Sequence, residues 1–181
     1  MVQHSGPVHV VAMGVSATGK TLVGIDLADR LGFKFLEGDS LHPQANIDKM
    51  AAGIPLTDED RWPWLRMCAK AVAECDADDV STVLSCSALR RGYRDLLREA
   101  AREELFFVHL HAPFEVLEAR MTKRTKHFMP TSLLQSQFDT LEPLGDDEVG
   151  VVVDVSPPIE VVVDEAEKAI RSRYLESSTE R

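Results

Sequence analysis

The chain has 181 residues, 44% of them hydrophobic, and a formal net charge of −10. That size and apolar share suit one domain with one buried core, and the negative balance excludes a general affinity for nucleic acid or an anionic membrane, either of which needs a positive face. Cys68, Cys75 and Cys86 are too few for a disulfide framework and lack a C-x-x-C spacing for zinc; with no leader-like N-terminus and no long apolar run, the expectation is a cytoplasmic protein with buried free thiols.

The first element is the apolar, β-branched run at residues 8–13 (VHVVAM), which predicts a central parallel strand. Residues 14–21 (GVSATGKT) follow and match G-x-x-x-x-G-K-[ST] in full, the pattern of a phosphate-binding loop. Gly14 and Gly19 let the backbone wrap a phosphate chain, so that N–H groups along Gly14, Val15, Ser16, Ala17, Thr18 and Gly19 face the anion with the next helix's positive end behind them. Lys20 then reaches the β- and γ-phosphates, and Thr21 places a hydroxyl on Mg²⁺. The helix itself is predicted by Val23, Leu27 and Leu31 at i, i+4, i+8 and ends near Gly32.

Four more strand-like runs alternate with helical patterns: residues 33–37, 80–85, 105–110 and 149–155. The alternation predicts a doubly wound α/β domain, a parallel five-stranded sheet of the P-loop NTPase type, spanning residues 1–174 as one unit with a frayed tail at 175–181. The second strand leads into Asp39, at the carboxyl edge where such sheets bind ligands. A carboxylate there either orients an acceptor hydroxyl and takes its proton or holds a water on Mg²⁺, and position alone leaves both roles open. The third strand ends Ser85-Cys86-Ser87, without the aspartate many P-loop NTPases use to hold the metal, which shifts that duty toward Asp39. Together with the lack of an N-K-x-D signature, this argues against a motor or a switch GTPase.

Thr57, Asp58 and Asp60 suit a helix start, with Pro63 tolerable only in the first turn. Trp62 and Trp64 read as packing residues. Arg61, at that helix start, and Arg90, just past the third strand, are placed to face the cleft and fork onto a carboxylate. From Arg120 to Ser136 the chain holds Arg120, Lys123, Arg124 and Lys126 and no acidic residue. In so acidic a chain, this segment (about 120–136) reads as a basic, helical lid that brings guanidinium groups to the transferring phosphate.

The segments MGVSATGK, EGDSLHPQANIDKMAAGIPLTDEDRWPWL, SCSALRRGYRDLLR and KHFMPTSLLQSQFDTLEP occur in that order. With GDxLHP, LxDxDRxPWL and CSALxxxYRDxLR at these spacings, the chain resembles the gluconokinases, of the shikimate-kinase-like group of P-loop small-molecule kinases, over nearly its whole length. The resemblance implies ATP- and Mg²⁺-dependent phosphorylation of D-gluconate on its 6-hydroxyl, giving 6-phospho-D-gluconate for the pentose phosphate route. By position it implies that Lys20 and Thr21 serve the phosphates and metal, and that Asp39 addresses the acceptor hydroxyl. His42, Arg61 and Arg90 would line the sugar-acid pocket, and His127 and Gln137 would sit near its entrance. Arg120 and Arg124 would close over the phosphates, with Pro157 and its neighbours beside adenine, and a homodimer is expected. Ala17-Thr18 departs from the Gly-Ser or Ser-Gly pairs of the family, and the β-branched Thr18 is expected to stiffen the loop. The alternatives are a kinase for another small hydroxy acid such as shikimate, a non-catalytic nucleotide-binding regulator, and a nucleoside monophosphate kinase, for which GDSLHP offers no base pocket.

Overall fold

The computed structural model describes residues 6–123 and 130–175. Its five strands are β1 (His9–Met13), β2 (Lys34–Glu37), β3 (Thr82–Ser85), β4 (Phe106–His111) and β5 (Gly150–Asp154). They pair in parallel in the order β2-β3-β1-β4-β5. Each predicted run contains its strand with ends within two residues, except that β4 extends one residue further, to His111. β1, β3 and the first five residues of β4 are fully buried, which is why their sequences read as continuous apolar runs rather than alternating ones.

Seven helices complete the described residues: α1 (Lys20–Leu31), α2 (Gln44–Ala51), α3 (Asp58–Ala77), α4 (Arg91–Arg98), α5 (Phe114–Lys123), α6 (Thr131–Thr140) and α7 (Ile159–Tyr174). α1 packs on α7 and against β1, β2 and β3, α3 packs on α4 and β3, and α5 packs on α6. The core runs from Val10, Val11 and Met13 through Leu84 to Phe107 and Leu110. β1 lies inside the sheet with β3 and β4 on either side; the chain leaves it first toward one edge and later reaches the other. A crevice therefore opens at the carboxyl end of β1, where the phosphate-binding loop begins.

One local feature differs from the sequence reading. Pro63 lies inside α3, beyond its first turn, since the helix starts at Asp58. The position is exposed, so the ring faces water and the lost amide bond weakens only the outer side of the helix. Thr57 and Asp60 form a reciprocal cap, the Thr57 hydroxyl accepting from the Asp60 amide at 3.2 Å and the Asp60 carboxylate from the Thr57 amide at 2.9 Å. The proposed lid segment, for its part, begins inside a helix: Arg120 and Lys123 close the last turn of α5, and residues 131–136 open α6. Among the described residues, no helix is long and apolar enough to cross a membrane.

Candidate active site

The loop between β1 and α1 is shaped by close backbone approaches. Gly14 has φ 141°, and a Cβ there would lie 2.5 Å from the Leu110 carbonyl oxygen, so no side chain fits. Its amide donates to the Ser87 carbonyl at 3.2 Å, tying the loop to the end of β3. The strained position is Ala17, at φ 66°, where a left-handed backbone costs a non-glycine residue about 1–2 kcal/mol. Thr18 instead braces the turn: its hydroxyl donates to the Val15 carbonyl at 2.9 Å. The Lys20 ammonium donates to the same carbonyl at 2.9 Å. Gln137, on α6, reaches across to the loop, its side-chain oxygen accepting from the Ser16 amide at 2.7 Å and hydroxyl at 3.0 Å.

The carboxylate beside Thr21 is Glu37, not Asp39. The Thr21 hydroxyl donates to Glu37 Oε2 at 2.7 Å, and the Ser85 hydroxyl donates to Oε1 at 2.5 Å. Glu37 is the last residue of β2, so β2 supplies the carboxylate that the end of β3 lacks. Gly38 makes this approach possible, since a Cβ there would meet the Ser85 carbonyl oxygen at 2.1 Å. Asp39 follows in a short 3-10 turn over residues 38–41 and lines the cleft. The hydroxyl of Thr21 and the carboxylate of Glu37 are hard oxygen donors of the kind Mg²⁺ takes. Among the described residues, no group of three or more His, Cys, Asp or Glu is arranged to hold a metal alone.

Lys20, Ser16, Asp39, His42, Arg61, Trp64, Ser87, Leu89, Ser136 and Gln137 line one cleft of about 280 Å³, closed on its apolar side by Ile47, Met50 and Leu133. His42 stacks on Trp64 with ring centroids 4.1 Å apart, while Trp64 donates its indole N–H to the Gly38 carbonyl at 2.8 Å. Trp64 is thus packed, as expected, and part of the cleft wall as well. Buried Asn46 uses its amide nitrogen twice, toward the Asp60 carbonyl at 3.0 Å and His42 Nδ1 at 3.2 Å. Burial holds the His42 imidazole neutral, lowering its pKa to about 4 with Arg61 reinforcing and Asp39 opposing. Since Nδ1 accepts, the proton of the neutral ring sits on Nε2, leaving that nitrogen a donor.

The two candidate arginines part company. Arg61 is 7% exposed and lines the cleft; among the described residues it has no carboxylate partner, and its Nη1 donates to the Tyr93 hydroxyl at 3.3 Å. Arg90 does not line the cleft: it is exposed at the start of α4 and bonded to Asp58 at 3.4 Å. Its direction was set by a residue 32 positions away, which position after a strand does not reveal. Arg120 donates to the Val155 carbonyl, one residue before the bend at Ser156 and Pro157. Arg124 and His127 lie outside the described residues. The sequence reading missed Glu37, Asn46, Ser87 and Tyr93; a carboxylate closing β2 beside a third strand without one was the available signal for Glu37.

The shikimate kinase family profile matches residues 16–144. The gluconokinase of Gluconobacter oxydans is 48% identical over 88% of this chain and 89% of its own length. A crystal structure of a gluconokinase from Sinorhizobium meliloti superposes with a TM-score of 0.83 at 49% identity, covering 94% of this chain and 95% of that one. An unliganded sugar kinase from Janibacter reaches a TM-score of 0.87 at 49% identity over 91% and 94% of the two chains.

Proposed function

Because this chain belongs to the gluconokinases of the shikimate kinase family, we propose that it transfers the γ-phosphoryl group of ATP to the 6-hydroxyl of D-gluconate. The observation that carries the acceptor reading is Arg61: a guanidinium 7% exposed, in the cleft wall, without a carboxylate partner among the described residues. A buried cation in that condition is stabilised by an anion that arrives with the ligand. Lys20 and Asp39 share the same cleft, so an acid bound at Arg61 has its hydroxyl chain directed at the phosphate loop.

In this reading Asp39 orients the 6-hydroxyl and takes its proton as the new O–P bond forms and the bond from the γ-phosphorus to the bridging oxygen of ADP breaks. Lys20 and the loop amides meet the charge on the phosphate oxygens. The neutral His42 donates from Nε2 to a sugar hydroxyl, and Gln137 exchanges its bond to the Ser16 amide for contact with the ligands. Thr21 and Glu37 would hold Mg²⁺, which would supply neutralisation of phosphate charge. Arg120, with Arg124 and the turn at Pro157, serves the nucleotide.

The division of labour between the two carboxylates tests this. Asp39→Asn is expected to lower kcat with gluconate by roughly a hundredfold or more, with the Mg²⁺ dependence unchanged. Glu37→Gln is expected to raise the Mg²⁺ concentration needed for half-maximal rate while leaving the gluconate KM in place. Near-normal turnover in Asp39→Asn sinks the assigned role.

A further inference from the structure

Arg61 is aimed by a residue that never reaches the cleft wall. Tyr93, on α4, is 1% exposed, and its ring is boxed by Trp62, edge-on with centroids 5.2 Å apart at 87°, and by the Arg61 guanidinium 5.8 Å from its centroid. The phenol has one proton, and it goes to Asp58 Oδ1. Burial first, and the Asp58 carboxylate after it, push the Tyr93 pKa up, so the proton stays on the phenol. The lone pairs of that oxygen accept from Arg61 Nη1 at 3.3 Å. Proton count therefore fixes the polarity of the chain Arg61 to Tyr93 to Asp58.

We propose that Tyr93 is a positioning residue for the acceptor site: its phenol, held by Asp58, fixes the direction in which Arg61 presents its guanidinium to the acceptor's carboxylate. The inference rests on the acceptor reading above. Its physical basis is the difference between a neutral and a charged partner. A carboxylate placed directly on Arg61 would occupy the guanidinium fork and neutralise it. The interposed phenol takes a single N–H and leaves the charge and the other donors for the ligand. Asp58 sorts the two arginines, taking Arg90 directly at 3.4 Å through its second oxygen and Arg61 only through Tyr93.

Tyr93→Phe removes the hydroxyl and little else. The measurements are KM and kcat for gluconate, KM for ATP, the melting temperature, and the rate with gluconamide, in which a neutral carboxamide replaces the carboxylate. A loss of about tenfold in gluconate affinity, read as KM, is expected for a hydrogen bond to a charged group, with kcat, ATP KM and the gluconamide rate moving by less than about twofold. In an Arg61→Ala background the same substitution should add nothing, because the group it aims is gone. Should Tyr93→Phe lower the melting temperature enough to prevent assay, Asp58→Asn breaks the relay at its other end and is expected to raise gluconate KM in the same selective way. If wild-type protein turns over gluconate but the variants leave its KM unchanged, or Tyr93→Phe multiplies KM equally with and without Arg61, the role of Tyr93 is overturned alone. Wild-type protein without gluconate turnover overturns the acceptor reading and this inference with it.

Discussion

His109 sits in β4, 4% exposed, with neither ring nitrogen hydrogen-bonded among the described residues. Burial lowers its pKa to about 4, with His111 and Arg94 adding to the effect. His42 is shifted to about 4 as well, again chiefly by burial. For both, the folded value lies below the ordinary 6.5, so between those limits the unfolded chain binds protons that the folded chain refuses. Stability from these groups is present above about pH 6.5 and is lost as pH falls toward about 4. His109→Leu removes one of the two without touching the cleft. It should raise the melting temperature relative to wild type more at pH 5 than at pH 7.5; an equal difference at both pH values would contradict the assignment. Single residues were the least legible part of the sequence. Lys20 and Thr21 were readable because the loop motif fixes them locally. Glu37 was not, because its partners Thr21 and Ser85 lie 16 and 48 residues away and meet it only once β2 pairs with β3.

At the scale of elements, α4 shows how a helix can hold two walls of the site in register. Arg94 is fully buried and donates to the Ala88 and Leu89 carbonyls at 3.0 and 3.3 Å, to the Glu142 and Pro143 carbonyls at 3.1 and 3.3 Å, and to both oxygens of Glu148 at 2.7 and 2.8 Å. The first pair belongs to the loop that carries Ser87 and Leu89 into the cleft, the second to the segment leaving α6, which carries Gln137. Burial alone would raise the Glu148 pKa, but hydrogen bonds from Arg94 and Arg98 and from the Gly145 amide outweigh it and leave the pKa at about 2. Arg94→Met leaves that buried carboxylate only Arg98 and the Gly145 amide as close partners and unpairs the carbonyls that Arg94 held, and the expected loss is about 3 kcal/mol of unfolding free energy in urea titration; a change below about 1 kcal/mol would show the pair to be dispensable. β1, β3 and β4 were legible because burial on both faces writes continuous apolar runs. An arginine within a helix reads as solvated, and only the fold brings Glu148 to Arg94. Pro63 misled for a related reason: which side of α3 faces water depends on where α4 packs.

The whole molecule sets a negative background, −10 formal charges over 181 residues, against which the cleft concentrates Lys20 and Arg61. Such a field disfavours anions elsewhere on the surface, and among the described residues it leaves two cationic positions in one cleft, Lys20 of the phosphate-binding loop and Arg61, which we propose receives an acid. Topology explains the pairing, since the loop after β1 and the 3-10 turn after β2 both lie at the carboxyl edge of one sheet. That arrangement was legible from the alternation of strand and helix signals, whereas the different surroundings of Arg61, which lines the cleft, and Arg90, which pairs with Asp58, were not, since those partners are met only through space. The most direct test is ADP release with ATP and Mg²⁺ across D-gluconate, shikimate, glycerate and AMP. Strong turnover with gluconate and little with the other three is the result this account predicts; robust turnover with one of the others in place of gluconate would contradict it.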